Sequence, residues 1–373
     1  MSPHVVIAGG GVGALEGLLA LQALASEPPR ISILCAGRHL TYRALSVTEP
    51  FGGDPGPRYE WPEIAHDRGV RWIPDVLVGV RPDTQEIDTR DGSPIRYDAL
   101  LLALGAQPQR ALPGALTFAG PRDVLALMEA IDGLLRDRRS HRIAFVSVSS
   151  TSWTLPLYEL ALLTAERAAR DGAKLAIELV TSEAAPLAVF GAAASAAVAR
   201  RLAFAGIHVR TGSLPLAVED GKLLLELEGA VDADLVIALP RLHGPEVPGL
   251  PYDGDGFVPV DRFGRVRGAD CVWAVGDMTA RPLKQGGLAA QQADVAAADI
   301  AAHFGAAVEV EPYGPVLQGV LLTGEEPEFL RRRPHASEAA RDPLWSHPQK
   351  VAGRYLAPYL ETLGAPPLPG QAP

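Results

Sequence analysis

The sequence predicts an α/β protein built from two modules in which short apolar strands alternate with helices. Three observations lead to this fold class. The β-branched residues 5–7 pass through a glycine cluster into a helix-compatible segment, and residues 143–148 begin a second strand–helix–strand alternation. Residues 99–104 form a continuous apolar run, which is typical of a parallel sheet covered on both faces.

Length and composition exclude several classes of function. A chain of 373 residues is too long for one ordinary core, so we expect two or three domains. Its formal net charge of −10 argues against a broad nucleic-acid-binding face. No apolar run reaches the roughly 20 residues of a spanning helix, and residues 1–8 enter a strand without a secretory signal, so we expect a cytoplasmic protein. Two cysteines, Cys35 and Cys271, are too few for a disulfide framework.

The first turn carries the strongest motif of the chain. Gly9, Gly11 and Ala14 have the spacing of the dinucleotide-binding fingerprint, with Gly13 in the same turn. Gly9 allows a tight turn, Gly11 a close approach of the backbone to a pyrophosphate, and Ala14 helix–strand packing. The helix N-terminus then favours negative charge. We expect a nucleotide site here.

The second strand, residues 31–35, departs from this pattern at its end. A dinucleotide site commonly places an acidic residue there to hold a ribose hydroxyl, whereas this chain has Cys35 and, three residues later, Arg38. The ribose contact is then made by backbone, by Arg38, or not at all. For Cys35 we favour a small apolar filler over a reactive thiol.

The chain then continues through short elements to the second module. The turn signal Asp91-Gly92 lies in a small antiparallel meander that precedes the strand at 99–106, and residues 108–121 have the composition of a linker. A helix is expected over 122–138. The further elements predicted for the second module are a strand at 143–148, a helix at 155–170, a strand at 175–181, a helix at 192–205, a strand at 207–210, a hairpin at 214–227 and a strand at 235–239.

The first turn of the second module, residues 147–156, contains no glycine. A Cβ on every residue blocks a close pyrophosphate approach and disfavours positive φ. We therefore expect that this module does not bind a nicotinamide dinucleotide. The alternative is that the hydroxyl-rich turn Ser149–Ser152 binds phosphate with another geometry.

The remaining elements close the chain. A strand at 270–277 ends in Gly276-Asp277, an alanine-rich helix is expected over 288–303, and a strand over 316–322. Residues 343–363 are predicted to form a helical tail with Trp345 and Tyr355 beside Lys350 and Arg354. For this tail we favour packing on the core of the chain, or across a homodimer, over a peripheral membrane contact, because proline interrupts the helix pattern.

In this order, the glycine turn, the meander, the second module and the Gly-Asp strand resemble the two-dinucleotide-binding-domain flavoproteins, the pyridine nucleotide-disulfide oxidoreductase superfamily. The resemblance covers roughly residues 4–305. It is greatest to the branch of sulfide:quinone oxidoreductases, flavocytochrome c sulfide dehydrogenases and type II NADH dehydrogenases. It implies two Rossmann-like modules, the second nested in the first, and a small α+β tail. The implied domains are an FAD-binding domain of residues 1–115 and 240–305, an NAD(P)-binding-like domain of residues 116–239, and a tail of residues 306–373.

The resemblance also implies FAD at the first turn. Asp277 corresponds to a residue that contacts the ribitol and phosphate end. Residues 285–288 open a helix against the flavin pyrimidine, where donors and the helix dipole stabilise the negative charge of a reduced flavin. Lys284 either adds a positive charge there or lies on the surface. The implied cofactor contacts are Gly9, Gly11, Gly13, Ala14, Arg38, Tyr42, Arg43, Ala103, Gly105, Gly276, Asp277, Gly287 and Leu288.

The chain departs from its relatives in the residues that carry their redox chemistry. It has no CxxC after the first module, and its two cysteines do not match the positions used in sulfide chemistry. Our leading hypothesis is an FAD-dependent oxidoreductase that passes two electrons from a reduced small-molecule donor to a quinone-like or other acceptor. Lys284 and Gln291 are the candidate catalytic residues, and Gln292 a further candidate for the acceptor pocket. The alternatives are an NAD(P)H-dependent quinone or ferredoxin-type reductase, and a flavin-binding scaffold or sensor. No metal site is predicted.

Overall fold

A computed structural model describes residues 2–55, 57–137, 139–148, 153–227, 229–366 and 368. The two modules of strand and helix predicted from the sequence are present, each with its own parallel sheet. The α-helices in these residues are α1 (Val12–Leu24), α2 (Trp61–Asp67), α3 (Val124–Arg136), α4 (Leu155–Asp171), α5 (Ala192–Phe204), α6 (Gly286–His303) and α7 (Leu356–Thr362).

The strands are short, and several of those in the first parallel sheet are fully buried and mainly apolar. In chain order they are β1 (His4–Ala8), β2 (Arg30–Leu34), β3 (Arg71–Ile73), β4 (Leu77–Arg81), β5 (Glu86–Thr89), β6 (Ile95–Arg96), β7 (Ala99–Leu102), β8 (Gln107–Gln109), β9 (Leu116–Thr117), β10 (His141–Ser147), β11 (Leu175–Thr181), β12 (His208–Arg210), β13 (Pro215–Glu219), β14 (Lys222–Leu225), β15 (Gly229–Asp232), β16 (Leu235–Ala238), β17 (Arg241–His243), β18 (Val272–Ala274), β19 (Leu317–Leu321), β20 (Glu328–Arg333) and β21 (Ala336–Ala340).

The first sheet has the order β18-β7-β1-β2-β3, with every pair parallel. Its central strands are mainly apolar because α1 and α6 cover one face and a second core cluster, which contains Val80 and Ile87 of the meander, covers the other. The carboxyl ends of β1, β7 and β18 therefore lie side by side. In open α/β sheets, ligands bind at this edge.

The second sheet has the order β12-β11-β10-β16-β9 and is also parallel. Its edge strand β9 lies inside residues 108–121, which the sequence predicts to be a linker, and β8 in the same region pairs with β17. The linker prediction is therefore wrong in part. Proline and glycine punctuate this segment, but two- and three-residue edge strands need little regular sequence between such breaks.

The tail differs from its prediction more clearly. The strand at 316–322 is confirmed as β19, but it belongs to an antiparallel sheet with β20 and β21 that was not predicted. The predicted helix over 343–363 is present only as α7, because Pro348 and Gly353 interrupt the preceding segment. Leu356 and Leu360 are buried in the chain's own first core.

None of the helices in the described residues is both long enough and apolar enough to cross a membrane.

Candidate functional site

One large open cavity lies at the carboxyl edge of the first sheet. It reaches from the first turn, before α1, to the start of α4 in the second module and to the tail, and its empty space measures about 1710 Å³, including the part open to solvent. Its lining includes the glycine turns of the first module, the loop from β18 to α6, and residues of α4, of β19 and at positions 350–351. The cavity thus joins both modules and the tail.

The first turn has the backbone that a close approach requires. Gly9 has φ +137, and a Cβ on it would lie 2.2 Å from the carbonyl oxygen of Ala103. Gly11 is the N-cap of α1 and has no side-chain cap, and a Cβ there would meet only the Thr41 carbonyl oxygen at 3.8 Å. The start of α1 therefore presents backbone N–H groups toward an open space, which is the arrangement that binds a phosphate.

Asp277 supplies a second observation that fits a flavin nucleotide. Burial raises the pKa of its carboxyl group, whereas the positive charges of Lys284 and Arg43 act in the opposite direction. Its buried Oδ1 has no hydrogen-bond partner among the described residues, although the residue lines the cavity. A buried acceptor without a partner is costly, and a hydroxyl group of a ligand would satisfy it. The residues present therefore fit the group that the sequence implies.

Lys284 lies between the cavity and the protein interior. Its Nζ donates to the carbonyl oxygen of Thr279 and lies 3.6 Å from the ring centroid of Phe257. Burial lowers its pKa to about 8, and the negative charges of Asp277 and Asp253 limit the shift. Lys284 is therefore a buried cation of the cavity wall and not a surface lysine.

The N-terminus of α6 is only partly directed at the cavity. The Gln285 side chain accepts from the N–H of Leu288 at 2.8 Å and donates to the Gln318 carbonyl oxygen at 3.0 Å. The Leu288 N–H is consequently engaged by the helix's own cap, and Gly286, not Gly287, lines the cavity. Gln292 lies within α6, and its Oε1 accepts from the N–H of Gly276 at 2.9 Å.

The far end of the cavity holds a buried acid–base pair that the sequence did not indicate. Glu159 of α4 is fully buried, and its Oε1 accepts from Lys350 and from the Leu322 N–H. Burial raises the pKa of Glu159 and lowers that of Lys350, and each opposes the other's shift. Glu159 Oε2 is buried without a partner in the described part of the chain. A glutamate in a helix and a lysine 191 residues further along the chain do not form a recognisable sequence motif.

The walls around this pair are apolar. They consist of Val47, Phe118, Trp153, Leu155 and Val320. Trp153 packs edge-on against Phe190, with 5.5 Å between the ring centroids, so its orientation is fixed. This end of the cavity combines aromatic and aliphatic walls with one ionisable pair, as ligand pockets for apolar molecules do.

An acidic residue follows the end of β11 in the second module. Glu183 lies there but is buried, and its Oε2 accepts from Tyr158 at 2.7 Å and from Thr181 at 3.1 Å. An acidic residue that is committed to its own module is not available to a ribose. The turn Ser149–Ser152, the alternative phosphate site, lies outside the described residues.

The structure brings some of the sequence-predicted residues together and separates others. Those lining the cavity are Gly11, Gly13, Arg43, Ala103, Gly105, Gly276, Asp277 and Lys284. Gly9, Ala14, Tyr42, Gly287 and Leu288 lie next to the wall but are not among its described lining residues.

Two predicted residues are engaged elsewhere. Arg38 is exposed and pairs with Glu60 at 2.7 Å. Gln291 exchanges two hydrogen bonds with the backbone of Val316 in the tail.

Neither cysteine lies in the cavity wall that the described residues form. Cys35 is buried, accepts from the Trp72 indole N–H at 3.4 Å, and has its pKa raised to about 11 by burial. Cys271 lies at the start of β18, 3.9 Å from His303. The thiol of Cys35 is thus protonated and inert at neutral pH.

Comparisons with known proteins agree with this architecture. The family model described as "Pyridine nucleotide-disulphide oxidoreductase" matches residues 3–299. None of the curated proteins compared with the chain matches its sequence.

Several solved structures have a similar fold. The sulfide:quinone oxidoreductase from Aquifex aeolicus matches with a TM-score of 0.82 at 19% identity, covering 97% of this chain and 89% of that chain. A ferredoxin reductase from Rhodopseudomonas palustris matches with a TM-score of 0.67 at 19% identity, covering 88% and 81%. Putidaredoxin reductase, in its covalent complex with putidaredoxin, matches with a TM-score of 0.65 at 19% identity, covering 89% and 82%.

Proposed function

Because the chain belongs to the pyridine nucleotide-disulphide oxidoreductase family, and is thereby a flavin-dependent oxidoreductase, we propose that it uses FAD to transfer two electrons from a small reduced donor to a quinone-like acceptor. The acceptor occupies the apolar end of the cavity, beside Glu159 and Lys350. Bound FAD supplies the two-electron chemistry, and the protein supplies position, charge and protons.

The first module's residues are suited to holding the cofactor. The N-terminus of α1 faces the space above Gly11 and is suited to the pyrophosphate. The unpartnered Oδ1 of Asp277 is suited to accepting from a ribitol hydroxyl. Arg43 and Lys284 offset the negative charge that Asp277 and a pyrophosphate bring into one place.

The observation that carries the proposal is the Glu159–Lys350 pair within apolar walls. Reduction of a quinone to a quinol takes up two protons as well as two electrons. Glu159 Oε2 is buried, unpartnered in the described residues, and at the cavity wall. Because burial raises its pKa, the carboxyl group holds a proton more readily than an exposed glutamate does. Lys350 fixes the other oxygen and so orients Oε2.

Two indirect routes for electrons from the donor to the flavin are not supported. A protein thiol relay needs a reactive cysteine in the cavity, whereas Cys35 and Cys271 both lie outside its described wall. A nicotinamide cofactor whose ribose 2′-hydroxyl is held by an acidic residue of the second module needs that residue to be available, and Glu183 is bonded to Tyr158 and Thr181. These observations support a small donor that reaches the flavin directly.

The test compares Glu159→Gln with Glu166→Gln, a substitution on the same helix outside the cavity. Flavin-loaded protein is photoreduced without oxygen and mixed with a short-chain ubiquinone, and reoxidation is followed by absorbance. Loss of the proton donor is expected to slow reoxidation by about 10²- to 10⁴-fold in Glu159→Gln only. Equal rates in both variants would remove Glu159 from the proposed reaction.

A second measurement separates this proposal from an NAD(P)H-dependent reductase. The oxidised protein is mixed anaerobically with NADH and, separately, with NADPH. We expect no fast bleaching of the flavin. Bleaching within the time of one quinone turnover would instead favour a phosphate site at Ser149–Ser152.

A further inference from the structure

A second buried carboxylate lies on α1, behind the cavity. Glu16 is fully buried, and its carboxyl group faces and hydrogen-bonds that of Asp294 on the neighbouring helix α6. Asp294 Oδ1 is buried and has no hydrogen-bond partner in the described residues. Two carboxyl groups at hydrogen-bond distance cannot both be ionised without strong repulsion, so such a pair shares a proton.

The same Glu16 carboxylate holds the tail. Its Oε1 accepts from the Tyr355 N–H at 2.9 Å and its Oε2 from the Leu356 N–H at 2.5 Å. These N–H groups lie at the start of α7, where a helix has no partners of its own. A Cβ on Gly353 would lie 2.8 Å from Glu16 Oε2, so the approach is as close as a glycine allows.

The segment that Glu16 holds also completes the cavity wall. We call residues 350–360 the strap. At its beginning, Lys350 reaches Glu159, and the Val351 N–H donates to the Tyr42 hydroxyl at 3.2 Å. At its end, Tyr359 donates to Asp67 at 2.8 Å. The Glu16 contacts lie between these two ends, five residues after Lys350.

We propose that Glu16 and Asp294 act as a proton-dependent latch, which positions the strap so that Lys350 meets Glu159, and which releases the strap when the shared proton is lost. Glu16 and Asp294 are positioning residues, since neither lines the cavity. The effect of the latch on turnover rests on the proposed function, whereas its effect on the strap does not.

The sign of the pH dependence follows from proton linkage. Burial first, and the neighbouring Glu16 second, raise the pKa of Asp294 to about 9, while Arg354 acts in the opposite direction. The charged and titratable groups around the pair are Arg354 and Tyr355 of the strap. When the strap leaves, water reaches the pair and the pKa of Asp294 falls toward its ordinary value. The attached state therefore binds more protons, and release becomes more favourable by up to tenfold per pH unit as pH rises toward 9.

Trypsin cleavage of the flavin-loaded full chain after Lys350 and Arg354 reports this release. Rates are measured between about pH 6.5 and pH 9 for the wild type and for Asp294→Asn, whose amide still donates to Glu16 but does not titrate. Dividing the two rates removes the pH dependence of trypsin itself. We expect the wild-type to variant ratio to rise by up to tenfold per pH unit, and a constant ratio would overturn the latch.

Two further variants keep the test decisive. Tyr359→Phe removes a strap contact that does not titrate in this range, because the Tyr359 hydroxyl and Arg68 lower the pKa of its partner Asp67. It should speed cleavage equally at every pH. Glu16→Gln removes the charge that holds the strap, so it should speed cleavage and flatten its pH dependence. Cleavage of Glu16→Gln at the wild-type rate and with the wild-type pH profile would also overturn the proposal.

The turnover readout distinguishes the latch from the proposed reaction. If quinone reoxidises the flavin, its rate should fall more steeply at alkaline pH in the wild type than in Asp294→Asn, because only the wild type adds strap release to the loss of the Glu159 proton. If quinone does not react but the cleavage ratio rises with pH, the latch stands and the proposed function fails.

Discussion

The two modules place a buried glutamate at the same position and use it differently. Glu16 and Glu159 are each the fifth residue of the helix that follows the module's first strand, and both are fully buried. Both are also contacted by the strap. Glu16 receives backbone N–H groups of the strap, whereas Glu159 receives the ammonium group of Lys350.

The turns before these helices differ in sequence, and we infer from this difference that the first module is the nucleotide site. In the first module Gly9 and Gly11 let the backbone approach a phosphate, and the cavity opens there. The second module has no glycine in its turn, and its acidic residue Glu183 faces inward. Equal topology need not give equal binding, because a side chain in a turn limits how closely a phosphate can approach the backbone.

The largest effect on flavin binding should come from giving the first turn the character of the second. Gly11→Val places a branched side chain in the space above α1, where a Cβ meets only Thr41 at 3.8 Å, so folding should persist. We expect flavin affinity to fall by about 100-fold or more, equivalent to about 2.7 kcal/mol. Flavin absorbance after dialysis measures the loss. Retention of flavin at the wild-type level would contradict the role of this turn.

The buried pair of the second module should be the next most sensitive feature. Lys350→Met leaves Glu159 buried without its cation, which typically costs about 3–5 kcal/mol of the free energy of unfolding. Adding Glu159→Leu should restore most of it, because a buried ion pair is often replaceable by apolar residues. Urea unfolding of the single and double variants gives both values. A double variant no more stable than Lys350→Met would show that the pair is not the cause.

The buried Glu183 of the second module allows a further test, with a smaller expected effect. Tyr158→Phe removes one of the two hydroxyl groups that Glu183 accepts from. Leaving a buried carboxyl group partly unsatisfied should cost about 1–3 kcal/mol of the free energy of unfolding, measured by urea denaturation. NADH should still fail to bleach the flavin. Fast bleaching in this variant alone would mean that Tyr158 and Glu183 close a working nicotinamide site.

The smallest change is a control for the glycine argument. Gly133 lies in the exposed part of α3, and a Cβ there meets nothing within 4 Å. Gly133→Ala should raise the free energy of unfolding by about 0.5–1 kcal/mol, because alanine favours helices. Its flavin content should match that of the wild type. If flavin were lost here as well, the effect of Gly11→Val would not be specific to the first turn.

Sequence patterns were sufficient for the fold, and they singled out residues at one end of the cavity. The glycine turn and the apolar strands encode local geometry, and residues such as Gly11 and Asp277 lie in the cavity wall. The tail was predicted as a proline-interrupted helix, whereas its helix in the structure is only α7. Its antiparallel sheet depends on pairing between β19, β20 and β21, which a short window of sequence does not contain.

The other end of the site depends on contacts between distant residues. A helix position such as 159 is equally compatible with solvent and core, and only the approach of Lys350 distinguishes them. Gln291 shows the opposite case. Its place on α6 suggested an acceptor pocket, but the tail engages both of its polar atoms at Val316.

The strap also has a consequence for the order of biosynthesis. It follows both modules along the chain, so the ribosome produces it after the residues that line the rest of the cavity. A nascent chain that has folded its first sheet and α6 therefore presents the glycine turns of the cavity before Lys350 and Val351 complete the wall. We expect the cofactor to enter fastest before the strap is synthesised, and more slowly once Lys350 and Val351 complete the cavity wall.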